Sequence, residues 1–221
     1  MSQALSNSAV VLSGIALALS AACNRAAEPA ASPTPAPNAE AAAAAVPTPV
    51  AAAADPTPVT ALPADVSAAM DQLQGKLKER LTAELQKGGP AAAAEVCRSE
   101  APVITAGLQS PGLKIGRTSH LLRNSASEAP AWAAAWVKAQ GGRKVAAGPK
   151  MAQVELPGGG KGYLRVIGTA PVCLTCHGAP EAMDPGLKTA LAQGYPQDRA
   201  TGFAENDVRG WFWAEVPAAG K

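Results

Sequence analysis

The sequence predicts an α+β fold in which helices come first and an antiparallel sheet follows. Three observations carry that expectation. Apolar residues recur at helical spacing from Val66 onward and are interrupted by Gly88-Gly89-Pro90. Two apolar stretches flank the turn Pro-Gly-Gly-Gly-Lys-Gly at residues 157–162, and Asp207 to Val216 reads as a closing strand.

Taken in chain order, the first segment lies outside that fold. The apolar run from Ala9 to Ala22 is too short to span a bilayer and ends in small residues before Cys23, so residues 1–22 read as a signal peptide. Leu19-Ser20-Ala21-Ala22-Cys23 looks like a lipobox with Ser20 where leucine is usual, which makes Cys23 the acylated residue of a membrane-anchored lipoprotein on the periplasmic side. The rival is an ordinary signal peptide cut after Ala22. Asn24, in place of aspartate, leans towards outer-membrane sorting. Residues 23–63 are mostly Ala, Pro and Thr; with few large apolar side chains to offset ordering entropy, they are expected to form a disordered, semi-rigid tether.

The folded domain is expected at residues 64–221. Val66, Met70, Leu73, Leu77, Leu81 and Leu85 mark one helix. Gly88-Gly89 stops it, and Pro90 suits the first turn of a second helix that ends near Pro102. Leu113 to Thr118 reads as a strand, and Ala129 to Ala139 as a helix with Trp132 and Trp136 one turn apart. Met151–Leu156 and Tyr163–Ile167 form a hairpin, a loop carries the later cysteines, and a short helix falls near Leu187 to Leu191. In the closing strand Trp211 and Trp213 share one side, expected to be core.

The formal net charge of +2 over 221 residues gives no reason to expect nucleic acid as a partner. The chemistry sits in four cysteines and two histidines. Cys173-Leu174-Thr175-Cys176-His177 is the pattern of covalent haem attachment: each thiol adds to one vinyl group, and the adjacent imidazole reaches the iron. A structural zinc site drawing on Cys97, Cys173, Cys176 and a histidine is a rival, as is a thioredoxin-like site or a plain Cys173–Cys176 disulfide. The disulfide gives His177 no role, and the thioredoxin context of a βαβ unit is missing. For the iron's second axial position the candidates are Cys97, His120, Met70, Met151 and Met183. Cys97 lies on a helix face with Ala93, Ala94 and Ala101, against which a flat porphyrin could rest, although a lone thiol is more commonly a small buried hydrophobe. Arg117 and Arg123 are the expected partners of the haem carboxylates, because guanidinium binds a carboxylate bidentately.

From Glu95 onward the chain resembles the Tll-type haem-domain family, PAS-like domains that carry c-type haem. The resemblance rests on Glu95-Val96-Cys97 with Ala101-Pro102, Ile115-Gly116-Arg117-Thr118-Ser119, Leu122-Arg123-Asn124 and Cys173-Leu174-Thr175-Cys176-His177-Gly178. It continues through Tyr195-Pro196-Gln197-Asp198, Ala200-Thr201-Gly202-Phe203 and Asp207-Val208-Arg209-Gly210, with Ser125 in place of the usual proline. The resemblance implies a PAS-like antiparallel sheet with N-terminal helices and one covalent haem c. It also implies an axial pair of His177 and Cys97. A thiolate opposite an imidazole favours ferric iron, so a low reduction potential is expected. Basicity gained by the sulfur on reduction makes that potential fall as pH rises.

The function expected is periplasmic single-electron transfer with a separate redox partner protein. A haem-based redox or gas sensor working through another protein is the alternative, set second because no kinase, membrane-helix or coiled-coil pattern is seen. An enzyme is not expected: no acid–base pair or open metal site shows in the sequence. Asp198 and Asp207, close to glycines and turns, read as loop braces rather than catalytic acids.

Overall fold

The computed structural model describes residues 54–218; the expected signal peptide, the lipidation site Cys23 and most of the expected linker lie outside them. Strand β1 (Thr57–Pro58) is followed by helix α1 (Ala64–Ala106), β2 (Lys114–Thr118), α2 (Ala131–Gln140), β3 (Met151–Glu155) and β4 (Lys161–Gly168). A single helical turn, α3 (Leu174–His177), then α4 (Pro185–Gly194) and β5 (Val208–Val216) complete the chain. The α+β expectation holds: helices lead into one antiparallel sheet of five strands in the order β1-β3-β4-β5-β2.

Side-chain alternation along the strands feeds two cores, one on each face of the sheet. On one face, Ile115, Tyr163, Phe212 and Ala214 pack against Val66, Met70 and Leu73 of α1. On the other, Ala152, Leu164 and Trp211 pack against Ala133 and Val137 of α2, with Trp132, Trp136 and Trp213 at the margin. Trp211 and Trp213 thus share one face, as their spacing predicts, with Trp211 in the core and Trp213 partly buried at its edge. Met70 and Leu73 are wholly enclosed, and burial of each such side chain stabilises the fold by about 2–3 kcal/mol.

Helix α1 is two arms. At Gly89 the backbone turns to φ 74°, ψ −171°, a region open in practice only to glycine, and Pro90 then starts the second arm without an N–H to satisfy. A straight helix would separate residues twenty apart by about 30 Å. Yet Arg80 donates to both carboxylate oxygens of Glu100, at 2.6 and 2.8 Å, so the second arm folds back along the first. Pro102 does not end that arm, which runs on to Ala106. Its alanine side meets α4: Ala94 packs with Met183, Leu187, Leu191 and Tyr195, and Cys176 lies at the edge of this third cluster.

Two local expectations need correction. The linker assigned to residues 23–63 stops short of its predicted end, because Thr57 and Pro58 pair with Gln153 and Ala152 and Val59 donates to the Met151 carbonyl. Proline is compatible with an edge strand, where its missing donor faces away from the ladder. The cysteine segment, expected as a loop, is wound into helical turns at residues 171–177, with Pro171 opening the first turn and Gly178 closing the second. A Cβ on Gly178 would stand 2.6 Å from the Leu174 carbonyl oxygen, so only glycine lets the chain leave that turn. Among the described residues no helix is long and apolar enough to cross a membrane.

Candidate functional site

The turn α3, with Cys173 at its N-terminal cap, presents Cys176 and His177 near the second arm of α1, which carries Cys97; α1 and α3 are in contact. All three described cysteines are free thiols. Cys97 and Cys173 lie close enough to Cys176 to act on its charge; burial pushes the Cys176 thiol up, opposed by the neighbouring Arg123. Among the described residues no three His, Cys, Asp or Glu side chains converge as a tetrahedral zinc site would require.

His177 is oriented by the segment that follows α4. Its ring Nδ1 sits 2.7 Å from the Ala200 carbonyl oxygen, so Nδ1 carries the proton and Nε2 the free lone pair. Phe203 and Gly202 donate backbone N–H groups to the carbonyls of His177 and Gly178, strapping residues 200–203 onto the turn. Burial holds the imidazole well below its usual pKa, helped by the cations Arg209, Arg123 and Arg117, and so keeps it neutral.

Those three arginines converge here but differ in what they bind. Arg123 is pinned: its Nε donates to Asp198 at 2.9 Å, and its Nη2 donates to the carbonyls of Cys176 and Ala200. Asp198 in turn accepts the Ala200 N–H at 2.8 Å, which makes it the loop brace its setting suggested. Asp207 is likewise a brace, accepting from Ala204 and Lys144. Arg117 lies on β2 and is partly buried, with no carboxylate at ion-pair distance among the described residues. Arg209 was not singled out from the sequence as a site residue. Its guanidinium approaches His177 Nε2 at 3.5 Å, donates to Ser119 Oγ at 3.0 Å and lies 5.0 Å from the centre of the Phe203 ring. Burial, then Arg123 and Arg117, bring Arg209 down to about 10.

A local slip in the sheet places Arg209. Ile167 pairs with Gly210 and Gly168 with Val208, leaving Arg209 with no residue opposite it; such a bulge redirects a side chain. A Cβ on Gly210 would come within 2.2 Å of the Thr118 carbonyl oxygen, so the close crossing of β2 and β5 at this point requires glycine. An Arg-Gly pair inside a strand was the available signal for such a bulge.

His120, one of the expected axial candidates, is separated from His177 by Phe203, whose ring stands edge-on to both, at 5.7 and 6.3 Å between centres. His120 Nε2 accepts the Gly142 N–H, while its Nδ1 is buried with no partner. Met70 and Met183 are core residues in separate clusters. Met151 lies on β3, where it pairs with Arg165 of β4.

A family model described as Tll0287-like matches residues 59–217. Among solved structures, the crystal structure of the cyanobacterial heme-protein Tll0287 is similar, with a TM-score of 0.51 and 20% sequence identity, over 71% of this chain and 95% of that one. No curated protein matches the chain.

Proposed function

The chain belongs to the Tll0287-like family, and from that premise we propose that it is a c-type cytochrome domain for single-electron transfer. In this reading one haem is joined through Cys173 and Cys176, with His177 and Cys97 as its axial pair. The observation that carries it is His177: a neutral imidazole, anchored through Nδ1 to Ala200 and offering Nε2, placed directly after two free thiols. A metal-binding histidine characteristically donates its other ring nitrogen to a carbonyl in this way. The residues present fit the group. Two thiols with attachment spacing, a fixed imidazole, the Cys97 arm against the same turn and unpaired guanidiniums for carboxylates make up its donor set.

A haem held there would supply a one-electron ferric–ferrous couple. The chain's own residues set its terms. Cys97 as thiolate would favour the oxidised state and lower the potential, and the strap at residues 200–203 holds the backbone of His177 and Gly178 in place. With two protein ligands and no acid–base pair assigned, the chain is read as a carrier and not as an enzyme. Its partner is a separate redox protein, and its location the periplasmic side of a membrane, tethered through acylated Cys23. The sensor reading has one observation in its favour. Cys97 rides on an arm hinged at Gly89 and braced to the first arm by a solvent-facing ion pair, a setting from which a ligand can depart.

The test is the optical spectrum of the chain matured with cytochrome c assembly machinery, as wild type and Cys97→Ala. Haem retained in acid acetone, with low-spin thiolate features lost in the variant, is the expected result. Retained haem with an unchanged spectrum would move the axial role to His120 or a methionine. Absence of bound haem would remove the reading.

A further inference from the structure

Arg209, like Arg117, is a partly buried cation of this site with no carboxylate at ion-pair distance among the described residues. Arg123, near enough to lower the Arg209 pKa, has its donors committed to Asp198 and to the Cys176 and Ala200 carbonyls. Asp198 acts on Arg209 only at a distance, since its own oxygens are taken by Arg123 and the Ala200 N–H. Arg209 is left with one hydroxyl, Ser119 Oγ, the Phe203 ring, and an approach to His177 Nε2 that cannot persist once Nε2 serves as a ligand. Ser119 also donates to the Arg209 carbonyl at 2.6 Å, so the backbone is fixed while the guanidinium keeps free donors. A partly buried guanidinium with unfilled donors can take up an anion, and Arg117, on the neighbouring strand, adds positive charge beside it. The arrangement is relieved by an anion with planar oxygens, which suits the guanidinium fork.

We propose that Arg209, seconded by Arg117, is the carboxylate anchor of the haem, and that its guanidinium passes from His177 Nε2 to a haem propionate when the group is in place. Arg123, which the sequence suggested for this task, instead braces the attachment turn from behind. The proposal rests on the haem reading above and assigns the side chains that would hold the acidic edge of the group.

The test uses matured holoprotein whose haem carries carbon-13 in its propionate carboxyls, with infrared spectra recorded across pH. Arg209→Gln is expected to raise the protonation midpoint of a labelled carboxyl by about one pH unit or more, a tenfold shift. Arg209→Lys, which keeps the charge but loses the fork, should fall between that variant and wild type. An unmoved midpoint in Arg209→Gln overturns the proposal. Should that variant yield no holoprotein, Arg209→Lys decides alone: a raised midpoint supports the anchor and an unmoved one overturns it. Wild-type protein with no labelled haem at all would overturn the haem reading itself, a result distinct from either.

Discussion

The guanidinium of Arg123 ties the attachment turn, the Tyr195–Ala200 segment and its own strand exit into one piece, and both it and Asp198 are nearly enclosed, at 9% and 13% side-chain exposure. Arg123→Ala leaves Asp198 buried without its cation, a change that typically removes about 3–5 kcal/mol of stability. Denaturant unfolding should show a loss of that size, and a loss under 1 kcal/mol would contradict the bracing role. His120 makes a prediction in pH. Burial, chiefly, with Arg209 and Arg199 nearby and Asp207 opposing, holds its pKa below the usual histidine range. The unfolded chain therefore takes that proton first as pH falls below about 6.5. His120's share of the stability is complete above that pH and is lost on acidification. His120→Gln should flatten the decline in denaturant midpoint between pH 7 and pH 5, and an unchanged slope would exclude His120 as a source. At this scale, what the sequence disclosed was local. Cys173, Cys176 and His177 announce themselves by spacing, whereas Arg209 takes its place through a bulge and Arg123 finds Asp198 75 residues away, relations no window of sequence contains.

Helix α1 shows the same division among elements. Gly88-Gly89-Pro90 marked the break between arms because it concerns backbone torsions alone, but the angle between the arms depends on Arg80 meeting Glu100 across the fold. Gly89→Ala forces a side chain into φ 74°, ψ −171°, at a cost of about 1–3 kcal/mol. It should also displace the arm bearing Cys97. Calorimetric or denaturant unfolding would give the first effect, and a reduced fraction of thiolate-ligated spectrum the second; wild-type values for both would refute the hinge. The longer strands and α2 were legible from periodicity. Strand β1 was not, since two residues in an Ala/Pro-rich stretch have no period and form only because the edge of β3 accepts them. Turn α3 was missed for a related reason: four residues are too few to show helical spacing.

For the whole molecule, the expected separation of anchor and domain gives a direct experiment. Cys23→Ser should move the haem-bearing protein from the membrane fraction to the soluble periplasmic fraction, and continued membrane association would refute acylation at Cys23. The two-faced sheet, with α1 on one side and α2 on the other, was recognisable as α+β from the order of elements, while its strand order emerges only in three dimensions. That order has a consequence in time. Strand β5, the last described, is inserted between β4 and β2, and among the described residues β2 has no other partner in the sheet. Until residues 208–216 are in place, β2 has no strand to pair with and the first arm of α1 lacks Phe212 and Ala214 to pack against, so that half of the fold waits for the last described strand.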